Sequence, residues 1–182
     1  VTQAPCVITV CADVHRFSMW CEQRDAEPCY DNFAWFLNGV TDALLAAQNL
    51  CVEAEAHGLG ICYLGTTIYT AEEIARILDL PKGVIPVTTI VVGHPDESPE
   101  LTDRLPLDAV VHCEKYHHYT SSEIDELWAE KETSEETRRL LEENGLPNLA
   151  QIFTRNRYRA EDNLAISRNY FALLKKQGFF NN

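Results

Sequence analysis

The sequence predicts an α+β fold, a central mixed β-sheet flanked by helices with a helical C-terminal extension, on three observations. Two apolar runs, Ala4–Ala12 and Val84–Gly93, are rich in β-branched residues, the composition of buried strands. From Asn38 onward, Val40, Leu44, Ala47, Leu50, Cys51 and Ala54 recur at helical spacing, with Ala43 and Ala46 among them to admit a close neighbour. Beyond Tyr119 apolar residues thin out and recur only at helical intervals. A chain of 182 residues is long enough for one domain with a substantial core. That domain divides into a core over 1–119 and a helical extension over 120–182.

Taken in order, Ala4–Ala12 is a nearly unbroken apolar run, which predicts a central strand covered on both faces. Phe17–Tyr30 mixes Trp20, Cys21 and Cys29 with charges and a proline, the mark of an irregular helix or lid-like excursion. The long helix follows and is expected to be buried, with His57-Gly58-Leu59-Gly60 as its glycine stop. Ile61–Gly65 is short, apolar and closed by a glycine, which suits backbone passing close to another backbone or to a flat ligand. Thr70-Ala71-Glu72-Glu73 has the form of a capping box opening a short helix that ends near Pro81. Val84–Gly93 is the second strand, and Asp96–Leu107, with Pro99 and Pro106, is a long loop of the functional kind. Thr120 and Ser134 are N-caps, Asn144-Gly145 is a stop, and 160–177 is a final amphipathic helix ended by Gly178.

Charge and cysteine usage exclude several classes. Twenty-eight acidic against fifteen basic residues give a net charge of -13, which repels nucleic acid and anionic membrane surfaces. No apolar run is long enough to span a bilayer and the opening VTQAPCVITV is no leader, so a cytoplasmic protein is expected. The seven cysteines are odd in number and form no C-x-x-C. Cys6, Cys11, Cys51 and Cys62 fall in apolar segments, where a thiol packs as a small hydrophobe. Cys21 and Cys29 with His15 are the alternative, a zinc site, but their spacing is too wide and no metal is assigned. No Ser-His-Asp or Cys-His spacing, GxGxxG or Walker loop is present.

The ordered segments DALLAAQNLCVEAEAHGLGICYLG, AEEIARILDLPKGVIPVTTIVVGHPDE and LTDRLPLDAVVHCEKY resemble the FMN-dependent nitroreductase family. The likeness is to its NADPH nitroreductase and flavin reductase branch, whose chains read alanine-rich helix, GLG-x-C/Y-Y-I-G, LGLP, GYP and RLP. It covers Ala4–Tyr119 well. The resemblance implies a nitroreductase-like sheet, 1–119 as a partial flavin-binding core and 120–182 as a dimer arm. It further implies FMN as cofactor, NAD(P)H as co-substrate, a homodimer, and ping-pong hydride transfer to nitroaromatic, quinone or flavin acceptors without a catalytic side chain. Tyr63, Leu64, Gly65 and Thr66 would lie against the flavin through main-chain groups, and Arg104 would meet the FMN phosphate.

This sequence departs from the family pattern at three places. Relatives show two glycines and then an arginine where Gly65-Thr66-Thr67-Ile68 stands, and a lysine where Thr102 stands. They also carry, ahead of the first strand, a helical region with a His-x-Ser-x-Arg phosphate motif. This sequence lacks it and is therefore expected to be part of a longer protein or to have lost its front. The alternative to an enzyme is a non-catalytic flavin-binding or assembly module, and a cysteine/histidine metal-binding protein is the third reading.

Overall fold

The computed structural model describes residues 3–99 and 101–180. They form two compact units, one made of the residues up to Ser98 together with those from Leu164, the other of Pro99–Asn163.

The first unit is built on three antiparallel strands, β1 (Cys6–Asp13), β2 (Gly60–Leu64) and β3 (Val84–Gly93), in the order β1-β3-β2. All the described strands are antiparallel, so the sheet is not mixed among the described residues. The central strand is β3, where Val84, Ile85 and Pro86, and again Thr89, Ile90 and Val91, are buried in succession. Burial of consecutive residues means that both faces are covered. The sequence expectation of a central strand at Ala4–Ala12 is corrected: β1 is an edge strand among the described residues, with Val7 63% exposed. An apolar run reports the residues' affinity for a sheet, and edge and centre share that affinity.

Helix α1 (His15–Glu22) follows β1, and α2 (Phe33–Ala56) crosses the sheet. The Asn32 side chain caps α2 by accepting from the Trp35 amide at 3.2 Å. Phe36, Ala43, Ala47, Cys51 and Ala54 form its buried stripe, and small residues bring the helix close. A Cβ placed on Gly39 would stand 3.2 Å from that of Ala12. The helix is not buried all round, because Leu37, Leu44, Leu45 and Val52 form a second, exposed stripe. At its end Gly58 has φ +73° and the Leu59 amide returns to the Ala54 carbonyl at 2.9 Å, the left-handed stop its sequence predicts.

Helix α3 (Ala71–Ile77) packs on β3. Its expected capping box is absent: Thr70 has φ -118° and ψ 22°, outside the extended conformation of a capping residue, and makes no side-chain cap. The unit is completed by the end of α7 (Ala160–Lys176), whose Leu173 and Leu174, with Phe179 beyond it, join Ala12, Val14, Phe36, Ala71, Ala75 and Ile85 in the core. Tyr170 Oη also donates to the Pro86 carbonyl at 2.9 Å. The compact units therefore do not divide at 119/120, since the last helical residues fill the core of the first unit.

The second unit is helical: α4 (Ser121–Thr133), α5 (Glu135–Asn144), α6 (Leu149–Ile152), a π-turn over Phe153–Arg157 and the first residues of α7. Thr120 and Glu123 form a capping box, Ser134 Oγ accepts from the Thr137 amide at 3.1 Å, and Gly145 closes α5 at φ 62°. Leu149 and Ile152 are buried. Val110–His112 is not part of any strand among the described residues, and a 3-10 turn over Leu107–Ala109 precedes it.

Candidate functional site

In the first unit, the expected flavin-contacting segment leaves the sheet at the end of β2. Side chains alternate along the strand, and Ile61 packs with Ala47, Cys51 and Ile90 beneath α2. Tyr63 is paired with Ile90 and shares that side. Interaction with the Cys51 thiol pushes the phenol of Tyr63, a residue 38% exposed, up to about 12. It therefore stays neutral near pH 7, and its main chain continues to the turn.

The turn itself is shaped by a residue that sequence reasoning left unused. Thr67 is buried, and its hydroxyl donates to the Leu64 carbonyl at 2.9 Å, while the Tyr69 amide reaches the Thr66 carbonyl at 2.9 Å. Gly65 and Thr66 stay exposed between these ties. A Cβ on Gly65 would meet nothing within 4 Å, and its φ lies outside the left-handed region. Neither backbone conformation nor packing within the chain calls for a glycine here. An open, Cβ-free step between two pinned carbonyls fits a flat ring laid against the main chain.

In the second unit, Arg104 is exposed and its Nη1 folds back on its own loop, donating to the carbonyls of Thr102 at 3.3 Å and Asp103 at 2.9 Å and to the Thr102 hydroxyl. Among the described residues Nε and Nη2 make no hydrogen bond, so the loop orients the guanidinium and leaves an edge free, the geometry for a two-point contact with phosphate. Beside it the Lys131 ammonium donates to both oxygens of the Asp103 carboxylate, at 2.9 and 2.7 Å. This bond holds the Asp103 carboxyl below the usual range. No local spacing in the sequence pairs residues 103 and 131.

All seven cysteines are free thiols. Cys21 and Cys51 are buried, but Cys6 and Cys62 are exposed, against the expectation that both pack. Among the described residues no group of three or more His, Cys, Asp or Glu side chains is placed to hold a metal ion. No described helix is long and apolar enough to cross a membrane.

These features meet an independent result from comparison. A family model described as "Nitroreductase family" matches residues 2–94. A crystal structure from Bacteroides fragilis NCTC 9343 is 47% identical, with a TM-score of 0.95 over 98% of this chain and 73% of its own. The chain belongs to the nitroreductase family. It is 35% identical over 109 residues to an FMN reductase (NADPH) of Bacillus subtilis, covering 59% of this chain and 44% of that protein. It is 42% identical over 97 residues to an NADPH-dependent oxidoreductase of Staphylococcus aureus, covering 52% and 39%. The chain thus matches less than half the length of these two curated relatives.

Proposed function

We propose that this chain is the FMN-binding part of an NAD(P)H-dependent oxidoreductase that reduces nitroaromatic, quinone or flavin acceptors. The observation that carries the reading is Gly65, a glycine on an exposed turn with no conformational or packing reason inside the chain. Tyr63, Leu64, Gly65 and Thr66 would lie against the ring through main-chain groups, and Arg104 would meet the phosphate. Each half of this assignment lies in its own unit and is tested by itself. FMN held by these residues would supply the hydride acceptor for NAD(P)H and the donor of both electrons to the second substrate. No described side chain is required to move a proton, and the Tyr63 phenol, pushed up to about 12, stays neutral near pH 7. The two substrates would use one site in turn, a ping-pong order.

The exposed stripe of Leu37, Leu44, Leu45 and Val52 on α2 supports a homodimer, because a single helix rarely leaves such a row to water. Free cysteines throughout support a reducing, cytoplasmic setting. Thr102 and Ile68, at positions where relatives carry cations, favour a second reading in which flavin is held without turnover. One experiment separates the two. Protein reconstituted with FMN and kept free of oxygen is mixed with NADPH: bleaching of the flavin absorbance, restored by a nitroaromatic or quinone, is the expected result. Tight flavin binding with no bleaching would establish the holding module instead.

A further inference from the structure

We infer that Lys131 is the second cation of the FMN phosphate site, supplied from helix α4 in place of the lysine that Thr102 replaces, and that Asp103 is its counter-ion until the phosphate arrives. The inference rests on the proposed FMN reading and names a ligand that reading does not contain. Thr102 leaves its loop with Arg104 as the one cation between Leu101 and Leu107. The fold brings in another from a distance of twenty-eight positions: the Lys131 ammonium lies on the Asp103 carboxylate, between Thr102 and Arg104 in the chain. Lys131 also stands in the last turn of α4, where the helix dipole favours a positive charge.

The arrangement is suited to exchange of one anion for another. Side chains of Lys131 and Asp103 are 34% and 56% exposed, and an ion pair this open to water holds weakly. A phosphate monoester carries a charge of about -1.5 to -2 near neutral pH, against a single charge on the carboxylate. Lys131 gains by exchanging partners, while Asp103 turns to solvent. With Arg104 and Lys131 positive and Asp103 negative the cluster carries one net positive charge, and removing the carboxylate would make it two.

A lysine that merely fastens the loop to α4 predicts something different, and opposite substitutions separate the two roles. Full-length wild type, Lys131→Met, Lys131→Arg and Asp103→Asn are each titrated with FMN and with riboflavin, which lacks the phosphate. Circular dichroism checks the fold of each. Lys131→Met is expected to weaken FMN binding about tenfold, the scale of a lost charge-assisted bond. Lys131→Arg should restore most of it. Asp103→Asn should tighten FMN binding by roughly three- to tenfold by freeing the ammonium, and riboflavin affinity should stay level across the series. Weaker FMN binding in both Lys131→Met and Asp103→Asn, with riboflavin following, would overturn the inference and leave a structural fastening. Failure of the underlying reading looks different: wild type would then bind neither flavin.

Discussion

Replacing Gly65 by alanine separates what the chain needs from what its ligand needs. An added Cβ meets no atom within 4 Å and the backbone φ lies outside the left-handed region, so the fold has no cause to resist it. An alanine also narrows the unfolded ensemble, which at a compatible position stabilises by about 0.4 to 1 kcal/mol. In a domain of this size that raises Tm by roughly 1 to 4 °C. A ring lying flush against the main chain meets the methyl at once, and overpacking of this kind costs about 1 to 3 kcal/mol, or roughly five- to 150-fold in affinity. Stability and FMN affinity should therefore move in opposite directions. Differential scanning fluorimetry of the apoprotein measures the first and quenching of flavin fluorescence the second. Unchanged affinity would refute the placement of the ring, and a fall in Tm would show that the glycine serves the fold.

Arg104→Ala should weaken FMN binding by about 1.5 to 3 kcal/mol through loss of a charge-assisted pair, with riboflavin binding and Tm nearly unchanged because the side chain bonds only within its own exposed loop. Phe179→Ala removes a side chain that is 0% exposed and packed edge-on to Phe36 at 5.5 Å. It should cost about 3 to 5 kcal/mol in chemical denaturation. Glu123 is held below its usual range first by the Thr120 amide, then by the Thr120 hydroxyl and His117. A depressed folded value means that its stabilisation is complete above the ordinary glutamate range, about 4.3, and is lost as pH falls through the lowered value. The Tm difference between wild type and Glu123→Gln should accordingly be largest near neutrality and close on acidification.

Much of the architecture was legible because it is written in local pattern. Helix α2, its stop at Gly58, the limits of β3 and the caps at Thr120, Ser134 and Gly145 all follow from spacing and residue type over a few positions. Partnership was not legible. The run that became β1 has the apolar residues of a central strand, yet its place at an edge depends on which strands pair. The periodicity of 160–177 predicted a helix, whereas nothing in it told that Leu173, Leu174 and Phe179 would enter the core of the first unit. The candidate site divides in the same way. Tyr63–Thr66 and Arg104 are candidates on their motifs alone, while the Thr67 hydroxyl on the Leu64 carbonyl and Lys131 on Asp103 depend on a turn's geometry and a long-range contact.

The most direct test of the account is to follow the backbone amides of the isotopically labelled chain by NMR while flavin is added. Riboflavin and FMN should both shift the amides of Leu64, Gly65 and Thr66, since these three residues would present their main chain to the shared ring. The amides around Arg104 should respond to FMN and remain still with riboflavin. Saturable flavin binding with the Gly65 and Thr66 signals unmoved would contradict the account, because the open step at the end of β2 would then have no part in holding the ring.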